Sequence, residues 1–410
     1  MLITNIKYLV NVREETKLLR GNALSDLPIL ENAFLKINNN RIEDYGLMTS
    51  LTENDCKDEI YDAKHASVLP SWCDSHTHLV FAATRETEFI DKIKGLSYAE
   101  IAAKGGGILN SAKKLNETSE EILLEQAQTR LNELVQLGTG AIEIKSGSGL
   151  CTEGELKMLR VIQQLKKQNS IPIKATFLGA HAFPDNYKEN RTSYIDLIIK
   201  KMLPEIAKDN LADYIDVFCE NGFFTKQETE QICKAGIAYG LKPKIHANQL
   251  NFSGGVQAGV NTNAISVDHL ETIGDEEIEL LSKTDSPIAT LLPGAAFFLR
   301  MQYPPARRLI ENNAAIALAS DFNPGSSPSG NMNFVVSLAC IQMKMLPEEA
   351  INAATINGAY AMEVQNVAGS ITKGKLANLI ITKPIPSIAF IPYSFATHQI
   401  DKIMLNGRFI

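Results

Sequence analysis

The sequence predicts an α/β chain: a TIM-like (β/α)8 barrel with a small β-sandwich domain built from both chain ends. Three observations predict it. Eight apolar, strand-like runs alternate with helical or loop segments through the middle of the chain. Five of the seven histidines fall at or just after the ends of such runs, where barrel enzymes gather their functional side chains. The rival, a doubly wound open sheet, lacks its glycine-rich fingerprint after the first strand.

Residues 1 to about 65 read as short strands and turns. Phe34-Leu35-Lys36-Ile37 is followed by Asn38-Asn39-Asn40-Arg41, a hairpin-like break. The barrel strands are expected at about 67–73, 141–144, 173–178, 214–218, 243–245, 264–267, 288–292 and 316–319. Between them, a helix is expected over 119–137, with Ser119 as N-cap and Gly138 as stop, and another over 153–167. Residues 377–382 and 400–408 again read as strand and turn, so the two ends are expected to pair. The limits are 1–67 and 361–410 for the β domain and 68–360 for the barrel.

Composition narrows the function classes. The 410 residues are 45% hydrophobic and 21% charged, ordinary globular values. A net charge of −7 argues against a nucleic-acid partner. No apolar run reaches the length of a membrane span, and no basic segment followed by an apolar one marks a secretory signal. A cytoplasmic protein acting on a small molecule is expected. The six cysteines, at 56, 73, 151, 219, 233 and 340, form no Cys-x-x-Cys and read as reduced thiols. The sequence identifies no histidine or asparagine partner that would make Cys151 a nucleophile.

The strand ends carry the chemistry. His76-Thr77-His78 closes the first run, and residues two apart on a strand point to one side. Lys145-Ser146-Gly147-Ser148-Gly149 follows the second run, Gly179-Ala180-His181 the third, and Glu220-Asn221-Gly222 the fourth. His246-Ala247-Asn248-Gln249 follows the fifth, Asp268-His269 the sixth, and Asp321-Phe322-Asn323-Pro324-Gly325 the eighth. His76, His78, His246 and Asp321 supply three neutral nitrogens and one carboxylate. That set suits one Zn²⁺ or Fe²⁺ ion better than Mg²⁺ or Ca²⁺. Such an ion lowers the pKa of a bound water toward about 7. Asp321 could take the proton released and pass it to a leaving nitrogen. His269 could polarise a carbonyl or stabilise an oxyanion.

Each residue has a plainer reading. A single buried histidine is commonly a satisfied core residue, and His181 reads equally as a hydrogen-bonded strand end. Lys145 could bridge two metals as a carbamate, but one ion needs no bridge, so pairing with an acidic neighbour is expected. Arg85 could be a surface charge paired with Glu86 or Glu88.

This ligand order resembles that of the amidohydrolase superfamily, and longer strings resemble its imidazolonepropionase family. They are His76 to Ala82 with Arg85, Glu88 and Phe89; residues 101–108; Lys145-Ser146-Gly147; and Asp321 to Pro328. The resemblance implies hydrolysis of the cyclic amide of 4-imidazolone-5-propanoate to N-formimidoyl-L-glutamate, with zinc or iron, in a homodimer. It implies metal positions at His76, His78, His246 and Asp321 and a carboxylate-binding Arg85. It also implies substrate contacts at His181, Asn323, Gly325 and Ser326. Two positions depart from the family pattern. Ser148 stands where a substrate-touching tyrosine is usual, losing a ring contact and a long-reach hydroxyl. Gln249 stands where some relatives carry glutamate; it can bind and orient the substrate ring but cannot exchange a proton. Proton transfer then falls to Asp321 with His269. The competing readings are another amidohydrolase, a deaminase or lactamase on a carboxylated ring, and a non-catalytic metal-stabilised scaffold.

Overall fold

A computed structural model describes residues 1–52, 59–96, 100, 106–395 and 397–410. Cys56 and residues 101–105 of the 101–108 string lie outside the described residues.

Eight parallel strands form the barrel: β1 (Trp72–Thr77), β2 (Thr139–Lys145), β3 (Ile173–Ala180), β4 (Tyr214–Cys219), β5 (Lys242–Ala247), β6 (Ser266–His269), β7 (Ile288–Leu291) and β8 (Ile316–Leu318). Each pairs with its sequence neighbours, in order from β1 to β8. The ring closes just past β8. There the His78 amide donates to Phe322 O (2.9 Å) and the Asp321 amide to His76 O (3.1 Å). The Asp74 carboxylate adds a clamp, accepting Ser320 N (2.9 Å) and Ser320 Oγ (2.5 Å). The closing seam therefore places His76, His78 and Asp321 side by side.

The first expected strand is two strands. Ser67–Pro70 belongs to the chain-end sheet, pairing with Leu2–Val10 and Leu379–Thr382, while the barrel starts at Trp72. Proline has no amide to continue a ladder. At the switch, Ser71 N turns to Asn378 O (3.0 Å) and Trp72 N to Gly138 O (2.9 Å). Residues 67–73 are all buried, which conceals the change of sheet.

The chain ends contribute eight described strands to one mixed sheet: Leu2–Val10, Ile29–Asn38, Arg41–Leu47, Ile60–Asp62, Ser67–Pro70, Leu379–Thr382, Ile400–Leu405 and Arg408–Phe409. It packs its own core of Ile3, Ile6, Leu9, Leu35, Val68, Leu379, Ile381 and Met404. Asn39 and Asn40 (φ +47° and +68°), like Asn406 and Gly407 (φ +46° and +71°), take the left-handed turns that match strand twist.

The expected helices form for the expected reasons. Glu120–Gln136 starts at Ser119, whose Oγ accepts Ile122 N (3.3 Å), and ends before Gly138 at φ +98°. Its buried Leu123, Ala127, Leu131, Leu134 and Val135 recur at helical spacing and face the barrel. Thr152–Gln168 buries Leu156, Leu159, Ile162 and Leu165 in the same way.

Candidate metal centre and active site

Along the end of β1, Asp74, His76 and His78 alternate inward. The His76 Nδ1–H donates to Asp268 Oδ2 (2.6 Å), which turns Nε2 toward Asp321 Oδ1 at 3.6 Å. His78 Nε2 lies 3.5 Å from the same oxygen and 3.4 Å from His246 Nε2. His246 Nδ1 lies 3.0 Å from Asp216 Oδ2. Tetrahedral donors ~2.1 Å from a zinc-sized ion are separated by about 3.4 Å. The spacings match. Moreover, His76 Nε2 and Asp321 Oδ1 are buried without a hydrogen-bond partner among the described residues, a costly state unless something fills the space between them. Two donor triads emerge, His76–His78–Asp321 and His76–His246–His269. This donor set fits one divalent metal ion.

Electrostatics favours the ligand forms. Burial, together with the neighbouring Lys145 and the other histidines, holds His76 well below the usual imidazole range, and burial with His181 and His246 does the same for His78. Both imidazoles are therefore neutral, as metal binding requires. Burial pushes the Asp321 carboxyl up, opposed by His269 and by Ser326, whose Oγ donates to Asp321 Oδ2 (2.7 Å). Burial alone would lower His269; the charge and hydrogen bond of Glu271, together with the charges of Asp321 and Asp268, outweigh it, and the net shift is upward.

Beneath the donors lies a buried ionic layer. Lys145 Nζ contacts Glu143 Oε1 (2.6 Å), Asp216 Oδ2 (2.9 Å) and Asp268 Oδ2 (3.8 Å). Lys244 Nζ pairs with Glu143 Oε2 and donates to Ser75 O (3.0 Å). Lys145 thus pairs with acidic neighbours, as expected.

Above the donors opens a cavity of about 270 Å³. His78, His246, His269 and Asp321 lie on its wall, and so do Arg85, Ser148, His181, Gln249, Asn323, Gly325 and Ser326. All the sequence-predicted site residues thus gather here, His76 lying just beneath. Arg85 Nε donates to Ser111 Oγ (2.9 Å), and a Cβ at Gly325 would come within 2.5 Å of Arg85 Nη1, so a larger residue there would displace the guanidinium. Glu88 accepts the Gly107 amide (2.9 Å), and Glu86 accepts the Thr84 hydroxyl. His181 stacks on His78 and bonds Gly147 O through Nδ1 (2.8 Å); burial lowers its pKa to about 4. Asn323 Oδ1 accepts the Gly325 amide (2.8 Å), shaping its own loop. A larger groove of about 1080 Å³, lined by Phe81, Phe89, Ile122 and Phe298, touches the site through Arg85 and Pro324 but holds none of the donors.

Sequence reasoning missed the supports. Glu143, Asp216, Lys244 and Asp268 form the ionic layer, Glu271 holds His269, and Glu155 accepts the amides of Gly147 (2.8 Å), Gly149 (2.7 Å) and Leu150 (2.9 Å). One signal was available: a charged residue inside an apolar strand, two positions before a functional one, as in Glu143–Lys145 and Lys244–His246.

The amidohydrolase family profile matches residues 67–410. An imidazolonepropionase of Flavobacterium johnsoniae is 59% identical, covering 100% of this chain and 99% of the relative. One from Christiangramia forsetii is 55% identical over 100% of both. The chain belongs to the amidohydrolase family, in its imidazolonepropionase group. Solved structures agree on the fold. A 5-methylcytosine deaminase from Klebsiella pneumoniae superposes with TM-score 0.75 at 14% identity, covering 100% of this amidohydrolase and 98% of that chain. A zinc-bound adenosine deaminase from Xanthomonas campestris gives 0.67 at 15%, covering 100% and 92%. No helix among the described residues is long and apolar enough to cross a membrane.

Proposed function

We infer that this amidohydrolase is an enzyme of histidine degradation that hydrolyses the ring amide C–N bond of 4-imidazolone-5-propanoate, releasing N-formimidoyl-L-glutamate. One observation carries the reading: one small cavity is lined by four histidines, His78, His181, His246 and His269, by the Asp321 carboxylate and by an arginine, Arg85. A small ring bearing one carboxylate answers to both. The ion, zinc or iron, supplies a Lewis acid and an activated water when bound.

The chain's own groups do the rest. Arg85 holds the propanoate carboxylate by charge-assisted hydrogen bonds. Asp321 takes a proton from the attacking water and delivers it to the ring nitrogen as the C–N bond breaks. Ser326 keeps the carboxylate of Asp321 aimed. His269 stabilises the negative charge that develops on the carbonyl oxygen. His181, Gln249 and the Asn323–Gly325 turn enclose the ring. Gln249 orients by hydrogen bonds only, so Asp321 and His269 carry the proton traffic. We further propose a cytoplasmic homodimer without a nucleic-acid partner, with the domain limits given above. Ring-opening activity measured alongside metal content in one sample tests the central reading. A loaded protein inert toward this substrate would overturn it.

Arg85→Met is expected to lower kcat/KM by roughly 30- to 1000-fold, about 2–4 kcal/mol, at unchanged metal content. Normal kinetics in that variant would place the carboxylate elsewhere.

The serine at 148 leaves room beside the ring. Ser148→Tyr is expected to raise kcat/KM on imidazolone propanoate or leave it nearly unchanged. Should the native protein instead open only a bulkier carboxylated cyclic amide, Ser148 marks a shifted specificity within the same family.

A further inference from the structure

At the end of β6 the backbone does something unusual. His269 and Leu270 both adopt left-handed conformations, φ +86° and +68°, although both carry side chains. Such residues persist only where the surroundings enforce them, and they cluster at functional sites. Here the end of β5 enforces them: Leu270 N donates to Ala247 O (3.1 Å) and Thr272 N to Asn248 O (2.8 Å). The chain therefore folds back, and the Glu271 carboxylate meets the ring of a residue only two positions earlier, with Oε1 3.4 Å from His269 Nδ1.

Glu271 is 1% exposed, and its Oε2 has no hydrogen-bond partner among the described residues. A buried carboxylate left half-satisfied is a poor stabiliser, and an apolar side chain would pack there at lower cost. Its retention needs a reason, and the His269 ring is the one it touches. With Nδ1 engaged, Nε2 is the ring nitrogen left for the cavity. The same contact stops the ring from turning. That matters because a ring free to turn would not keep one nitrogen aimed at a reacting carbonyl.

We propose that Glu271 is a positioning residue: it fixes the ring and tautomer of His269, so that Nε2 faces the substrate carbonyl. The proposal rests on the reaction inferred above for this site. Gln249 sharpens the need, because an amide cannot share the proton traffic with His269.

The test uses the metal-loaded enzyme and its Glu271→Leu and Glu271→Gln variants, with metal content, kinetics on 4-imidazolone-5-propanoate, and ¹⁵N-histidine NMR. In the wild type, His269 is expected to carry a proton on Nδ1. Glu271→Leu is expected to lower kcat roughly 10- to 100-fold, with KM within about threefold and metal content unchanged. Glu271→Gln should keep most of the activity, because its carbonyl still accepts the Nδ1 proton. A Leu variant with wild-type kcat, Leu and Gln variants equally impaired, or a loss of metal parallel to the loss of kcat would each overturn the proposal. So would a wild-type His269 unprotonated at Nδ1. If Glu271→Leu does not fold, Glu271→Gln and the wild-type NMR decide. If the wild type fails to open the imidazolone, the inferred reaction falls, while the NMR signature still decides the role of Glu271.

Discussion

His76→Ala is expected to strip the protein of most of its metal and to cut turnover by on the order of 10³-fold or more. His76 is the donor most firmly pre-set for binding. Its Nδ1 is tied to Asp268 at 2.6 Å, its Nε2 is buried without a hydrogen-bond partner among the described residues, and it belongs to both donor triads. A carboxylate that orients a ligating imidazole also raises its basicity, so this ring is both aimed and strengthened. Alanine removes it without breaking the barrel seam, because the Asp321 N to His76 O bond is made by the backbone. Metal analysis after dialysis, with circular dichroism on the same sample, checks the result. Full occupancy and activity in a folded variant would remove His76 from the ligand set. A second ion bridged by Lys145 would defeat the single-metal reading as well.

The donors were legible in the sequence because catalysis fixes their type and the barrel fixes their place. A histidine or aspartate closing an apolar strand stands out, and His76, His78, His246, His269 and Asp321 all have that form. The helix from Ser119 to Gly138 was legible because its cap, stop and apolar spacing are local. What stayed hidden depends on partners far along the chain. Asp216 reads as one polar residue in a buried strand until Lys145 and His246 are brought against it. Glu155 reads as an ordinary acidic residue in the first turn of a helix, yet it is buried and binds three amides of the preceding loop. The strand break at Pro70–Ser71 was hidden because residues 67–73 are all buried, and one buried serine does not mark where one sheet ends and the next begins.

The buried layer under the metal site carries the second large effect. Two ammoniums, Lys145 and Lys244, face three carboxylates, Glu143, Asp216 and Asp268, and all five are 0% exposed. The surplus negative charge points upward, through Asp268 to His76 and through Asp216 to His246. Lys145 is the hub, touching all three carboxylates. Burial would lower its pKa, but those charges outweigh it and raise the value, so it stays an ammonium. Lys145→Met keeps the length of the side chain and removes the charge, leaving one ammonium among three carboxylates. Removing one partner from a buried ionic group costs about 3–5 kcal/mol, and the loss should appear as a lower urea midpoint. The repelled Asp216 and Asp268 would also release the imidazoles they orient, so metal affinity is expected to fall roughly 10- to 100-fold. Combining Lys145→Met with Glu143→Gln should recover part of the lost stability, because the double variant removes a carboxylate along with its missing counter-charge. A single variant as stable as the wild type, with undiminished metal affinity, would mean that the layer balances its charge without Lys145. The imidazole orientation would then have to come from packing alone.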